Sequence, residues 1–373
     1  MLIQGGTPRQ NRVTQHGISV DPGPHPRNPN HPDPRIRAKG WSKSANLLRR
    51  WRQPKQSSEI ISLRMYPIKS CRGFEVQSTV LKEHGLDLDR RWMLVDAATN
   101  EFLTIRQIPD MTRIDTALSA DGKDLLITVP KPGAENQNDS TTIRIPSHPD
   151  QEWLETNTKT APVKIWQTDT DGYLYGEEVN APFSAFLGRD VALVYKGPTP
   201  RVLRGNGAPD LLGRVQSTGF PDVHPVLIAS QSSMDELNEK LERAGQDPIT
   251  VERFRPNIVI RGGKPWSEDS WKRVRITGRK DGADKVGGET SIDLDVVARC
   301  GRCQVPNVDP VTGDKHKKQP WDMLVSYRRV DGGLPYKPCF GMLSAPRSEG
   351  VVEVGMRLEV WEETTKHRYI AGF

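Results

Sequence analysis

From Ile60 onward the apolar residues come in short runs closed off by turn residues, a pattern that restricts the body of the chain to a fold built mostly of strands. ISLRMYPI at 61–68, WMLVDA at 92–97, DLLITV at 124–129, TTIRI at 141–145 and VKIWQT at 163–168 read as strands. AATNE at 97–101 and SADGKD at 119–124 read as the turns between them. The spacing predicts an all-β barrel or sandwich over 58–190. VALVY at 191–195, PVLIAS at 225–230, NIVIRG at 257–262, KRVRIT at 272–277, SIDLDVV at 291–297 and RLEVWE at 357–362 continue the pattern. Among them, SSMDELNEKLERAG at 232–245 predicts a helix with a Ser-x-x-Asp start, Met234, Leu237 and Leu241 on one face, and a glycine stop. A shorter helix is expected over 181–187. The second domain, 191–365, is therefore expected to be mainly β with packed helices. No stretch approaches the ~20 apolar residues that a membrane-spanning helix requires.

The charge is unevenly placed. The chain carries 53 Lys plus Arg against 47 Asp plus Glu, a formal +6. Residues 1–57 hold eleven basic residues and only Asp21 and Asp33 as acids, so residues 58–373 are net acidic. The basic balance thus belongs to the tail and argues against a body that binds nucleic acid. Closely spaced prolines, as in DPGPHPRNPNHPDPR at 21–35, forbid helix, and a disordered tail is expected over 1–57. Within it, WSKSANLLRRWRQ spaces Trp41, Ala45, Leu48 and Trp51 near helical period among basic residues. Residues 41–52 read either as a short amphipathic helix for an anionic membrane surface or for targeting, or as a solvated linker. No apolar secretory signal follows Met1, and four cysteines are too few for a disulfide scaffold, so a reducing compartment is expected.

Chemistry concentrates in ARCGRCQVPNVDPVTGD at 298–314. The Cys300/Cys303 pair admits three readings: half of a zinc site whose second half would need Cys71 and Cys339 to converge, two buried structural cysteines, or a single thiolate serving another metal or acting as nucleophile. A thioredoxin-like motif is disfavoured because a Pro- and Gly-rich loop follows where a helix belongs. Arg299 and Arg302 flank the pair, and cations favour the nucleophilic, metal-binding thiolate. NVDPVTG then offers turn residues suited to holding a ligand.

Three further patches are polar where core is expected. Lys69 and Ser70 close the first strand in YPIKSCRG, Arg90 and Arg91 open a strand in DLDRRWMLVD, and Arg255 and Asn257 precede the apolar run of FRPNIVI. Singly each reads as a charged strand end; together with the cysteine loop they read as the lining of one anion pocket. His224, just before Pro225, reads as a turn residue or as a proton donor.

YPIKSCRG, DRRW, TIRQIP at 104–109, FRPNIVI and RCGRCQVPNVDPVTG, in that order, resemble the molybdenum cofactor sulfurase C-terminal (MOSC) family over about 58–365, most of all its amidoxime-reducing branch. The resemblance implies an N-terminal MOSC β-barrel domain and a MOSC β-barrel domain, together holding molybdenum with molybdopterin. It implies Cys303 as the metal ligand and catalytic residue, with Cys300 non-ligating. It implies Lys69, Ser70, Arg90, Asp222, Arg255, Asn257 and Arg302 as cofactor-binding residues. Gly301 stands where amidoxime-reducing relatives carry serine, and Asp222, Val223 and His224 stand where they carry Asp-Thr-Ser. The expected function is reduction of small N-hydroxylated or N-oxygenated compounds, with a cofactor-binding or sulfur-carrier protein as the alternative. The tail shows no apolar anchor and the sequence no cysteine-rich extension, so electrons are expected from an external donor such as a cytochrome b5 type protein and its reductase. The expected location is the mitochondrion, or else the cytoplasm.

Overall fold

The short-run pattern becomes two sets of sheets in the computed structural model, which describes residues 53–133, 139–278 and 291–372. The basic tail and the segment at 41–52 lie outside the described residues. Seven strands close into a barrel. In hydrogen-bonded order they are Ile258–Ile260, Val226–Ser230, Cys339–Pro346, Ser291–Gly301, Trp271–Thr277, Arg357–Glu363 and Gln56–Met65, and the last pairs back onto the first. The pairings are antiparallel except Val226–Ser230 with Ile258–Ile260. That parallel pair is bridged by the helix Gln231–Arg243, because parallel neighbours need a long crossover.

Alternation fills the barrel. Along Ser291–Gly301, Ile292, Leu294 and Val296 turn inward, and they meet Ile60, Val274, Ile276, Met342 and Leu358 in one core. The predicted helix is present, with Met234, Leu237 and Leu241 buried and Gly245 left-handed just past its end. Its start differs from expectation: it begins at Gln231 after Ser230, with no side-chain cap, and the Ser232 hydroxyl bonds to that of Ser230.

The other set comprises a four-stranded antiparallel sheet, ordered Trp92–Asp96, Val191–Lys196, Thr168–Tyr175, Thr158–Ile165, and a three-stranded meander of Asp115–Leu118, Asp124–Pro130 and Ser140–Pro146. Both sheets feed one core containing Trp92, Leu94, Leu125, Ile127, Ile145 and Leu193. The helix Glu177–Leu187 closes that core with Val179 and Phe183, and the buried Asn180 amide joins the Tyr175 carbonyl to the Leu193 N–H. The chain is not two beads on a string. Gln56–Met65 precedes this whole set in sequence but is a stave of the seven-stranded barrel, so the four-stranded sheet and the meander lie in sequence between two parts of that barrel.

Candidate functional site

Loops leaving these sheets surround a cavity of about 320 Å³. All eight predicted site residues line it: Lys69, Ser70, Arg90, Asp222, Arg255, Asn257, Arg302 and Cys303. Cys300 and His224 line it as well.

The cysteine loop arrives from the strand Ser291–Gly301, whose pairing with Cys339–Pro346 slips between Val296 and Ala298 and again between Arg299 and Gly301. Such bulges re-aim a strand end, here out of the barrel core and into the cavity. Arg302 donates from Nη1 to Cys300 Sγ at 2.8 Å and from Nη2 to the Phe254 carbonyl at 2.6 Å. The cation beside Cys303 is Arg106, whose Nε donates to Cys303 Sγ at 3.4 Å. Arg299 does not serve the thiols as expected; it pairs with Asp331 at 3.2 Å and donates to the His367 carbonyl.

Asp222 is the hub of the facing wall. Its carboxylate accepts from Lys69 Nζ, from Arg106 Nη2 at 3.1 Å and from Trp166 Nε1 at 3.2 Å. These donors outweigh its desolvation and hold its pKa well below the usual carboxylate range. Burial pushes the Lys69 ammonium down to about 8, against the pull of Asp222. Below them Arg201, which the sequence reading passed over, ties the carbonyls of Gly219, Pro221 and Asp222 into one loop.

Ser70, Arg90 and Arg255 all occupy the left-handed backbone region, at φ of 72°, 47° and 56°. For a residue with a side chain this costs of the order of 1 kcal/mol, and such positions gather at functional sites. The guanidinium groups of Arg90 and Arg255 both lie on the Tyr66 ring, 4.5 and 4.3 Å from its centroid. Arg90 spends its charge on the buried Asp89 and its Nη2 on the Arg255 carbonyl at 3.1 Å. Arg255 keeps a buried Nη2 without a partner, and Arg302 a buried Nε. Burial beside Arg90 pushes Arg255 down to about 10.

Several of these residues also make bonds within the fold. The Asn257 amide accepts from Leu227 N–H at 3.1 Å and donates to the Arg64 carbonyl at 3.4 Å, so it laces two strands together. Arg91 turns away onto the Tyr195 ring and hydroxyl. In NVDPVTG, Asn307 holds the His316 carbonyl and Trp321 N–H, while Asp309 caps its own turn at Val311 and Thr312 and pairs with Arg253. Cys71 and Cys339 are buried away from the cavity, with thiols pushed up to about 12 by desolvation. All four cysteines are free, and among the described residues no group of three or more His, Cys, Asp or Glu is gathered as a zinc site would need.

His224 is 5% exposed, and neither ring nitrogen has a partner. Burial pushes it down to about 4, so at neutral pH it offers one N–H and one lone pair. The residues lining the cavity thus include two arginines that each hold a buried unpaired donor, a neutral imidazole and a thiol under a guanidinium. This set fits an anionic heterocyclic group bearing a thiol-seeking metal.

Comparison with known proteins gives matches along most of the body. The family described as the MOSC N-terminal beta barrel domain matches residues 57–190, and the MOSC domain matches residues 216–359. The mitochondrial amidoxime-reducing component 1 of Homo sapiens is 28% identical over 316 residues, covering 82% of this chain and 84% of that protein. The molybdenum cofactor sulfurase of Arabidopsis thaliana is 32% identical over 286 residues, covering 73% of this chain. The chain spans about a third of the length of the plant sulfurases it matches. Among solved structures, the YuaD protein of Bacillus subtilis aligns over 83% of this chain and 98% of its own, at 10% identity and a TM-score of 0.32.

Proposed function

Because the chain belongs to the MOSC family, we propose that its cavity holds molybdenum with molybdopterin and that the protein is an oxidoreductase reducing N-hydroxylated or N-oxygenated compounds. A function associated with the molybdenum cofactor follows from the family and its relatives. The finer reading rests on one observation: the Cys303 thiol stands in a cation-lined cavity with Arg106 Nε donating to its sulfur.

In this reading Cys303 Sγ is the protein's ligand to the metal, with the Arg106 guanidinium as the cation beside it. Arg255 Nη2 and Arg302 Nε, already desolvated and unpaired, take the anionic end of the cofactor, with Lys69 and Ser70 beside them. Arg90 acts through Arg255, whose carbonyl it holds. Asp222 keeps Lys69 and Arg106 in place and charged. Asn257 positions the Arg255 turn by binding the strands on either side. When bound, the molybdenum centre supplies two-electron redox chemistry, and the chain contributes binding, orientation and a desolvated wall. Electrons would come from an external carrier such as a cytochrome b5 type protein and its reductase. The names of the amidoxime-reducing relatives favour the mitochondrion. Among the described residues no helix is long and apolar enough to cross a membrane.

The test is metal and pterin analysis of protein from a host that makes the cofactor, beside Cys303→Ser, followed by turnover with an amidoxime and a reduced donor. Full molybdenum and full activity in Cys303→Ser would overturn the assignment. A second reading, a protein that carries the cofactor or sulfur without reductase turnover, is favoured by the second sulfur in the cavity, Cys300 under Arg302. Stoichiometric cofactor with no reduction of any N-hydroxylated compound would select it.

A further inference from the structure

After the last barrel strand, residues 365–372 cross one side of the cavity without regular structure, beyond the residues matched by the MOSC domain. Side chains from separate loops hold their path. Asn206 uses both ends of its amide on them, donating to the Arg368 carbonyl at 2.9 Å and accepting from Ile370 N–H at 2.7 Å. The buried Asp331 accepts from Tyr369 N–H at 2.8 Å and is itself paired with Arg299. Arg299 also donates to the His367 carbonyl at 3.1 Å, and the His367 ring bonds to the Trp271 carbonyl. Two glycines make room: a β-carbon on Gly333 would overlap the Tyr369 carbonyl oxygen, and one on Gly205 would overlap that of Ile370.

This segment delivers Tyr369 and Ala371 to the cavity wall. Tyr369 and Cys300 pack against the apolar cluster of Leu227, Ala298 and Leu343, and Leu227 and Leu343 line the cavity with them. A segment of irregular backbone secured this often is a built wall, since ordering each residue costs about 1–2 kcal/mol that the anchors must offset.

We propose that Tyr369 is a specificity-determining residue, a fixed wall that limits the bulk of what reaches the apolar end of the cavity beside Cys300. Slim N-hydroxylated compounds are admitted and bulky aryl ones are disfavoured; this part of the inference rests on the reductase reading above, whereas the wall itself does not.

The first arm uses the metal-free full chain. Cys300 alkylation is followed by peptide mass mapping with iodoacetamide and with a bulky N-aryl maleimide, in the parent, Tyr369→Phe, Tyr369→Ala and Asn206→Ala. Tyr369→Ala is expected to speed the bulky reagent about tenfold relative to iodoacetamide, the scale on which a pocket wall discriminates size. Tyr369→Phe, which keeps the ring, leaves the ratio unchanged. Asn206→Ala frees the segment without altering the wall residue, and raises the ratio in the same direction; it decides the question if Tyr369→Ala does not fold. An unchanged ratio overturns the wall. The second arm compares kcat/KM for an aryl and a small aliphatic amidoxime in the loaded enzyme. The ratio rises in Tyr369→Ala if the residue sets specificity, and an unmoved ratio with active parent overturns that role. If the loaded parent reduces neither compound, the reductase reading and the specificity built on it fall, while the alkylation ratio still judges the wall.

Discussion

Arg106 Nε donates to Cys303 Sγ at 3.4 Å, joining the loop at 104–109 to the cysteine loop that leaves the seven-stranded barrel. The same guanidinium reaches Asp222 and covers the Trp166 ring, so its position is fixed on three sides.

Arg106→Ala is therefore expected to slow iodoacetamide alkylation of Cys303 in the metal-free protein at pH 7. The side chain is about one-third exposed, so the lost charge-assisted hydrogen bond is discounted to about 1 kcal/mol, roughly a fivefold rate effect. Arg106→Lys recovers only part of it, because one ammonium cannot serve sulfur and carboxylate as a planar fork does. Rates measured by peptide mapping check this, and an unchanged rate in Arg106→Ala removes Arg106 from the thiol's environment.

His224 governs part of the acid limb of stability. Its pKa falls from an ordinary 6.5 to about 4 on folding, through burial and then the neighbouring Arg201, while the Val223 backbone works the other way. Between these values the unfolded chain binds the extra proton, so stability is lost as pH drops from 6.5 towards 4. The effect is of the order of 3 kcal/mol. Urea unfolding across that range should show a shallower loss in His224→Gln than in the parent; parallel curves would refute it.

Lys69 acts at the other limb. Its pKa drops from 10.5 to about 8 on folding, so from pH 8 to 10.5 the unfolded chain again binds more protons and stability rises with pH on its account. Lys69→Met should lack this rise, about 2 kcal/mol, when the two proteins are unfolded in urea at pH 8 and pH 10.

Asn257→Ala is expected to cost about 2–3 kcal/mol in denaturant unfolding of cofactor-free protein, since it strands the buried Leu227 N–H. A residue that only touches the cofactor would leave the cofactor-free stability unchanged, and that result would reverse the assignment made above.

The strands at 124–129 and 291–297 were legible because burial on one face leaves a period of two, and 92–97 because a run buried on both faces is continuously apolar. Cys339–Pro346 was not, since all eight residues are buried and Gly341, Ser344 and the prolines on either side obscure its period. Thr168–Tyr175 was hidden by its polar composition, and it is fixed by pairing on both edges. In the site, residue types pointed to one anion pocket, and the cavity gathers them. Which cation meets which sulfur was beyond reach: Arg299 and Arg302 are equally near the cysteines in sequence, but the bulge sends Arg299 to Asp331 and leaves Cys303 to Arg106, a residue almost two hundred positions away. TIRQIP was the one signal that Arg106 mattered, and it assigned no role.

The placement of Gln56–Met65 has a consequence for how the molecule is made. Its first residue pairs with Val360, so the ring cannot close until residue 360 has left the ribosome. Until then this strand is a sticky edge awaiting its partners, while the four-stranded sheet and the meander have been complete far earlier. Newborn chains stalled before the last stave should thus be the species that chaperones hold, and truncation near the C-terminus should unseat the strand at the opposite end of the sequence.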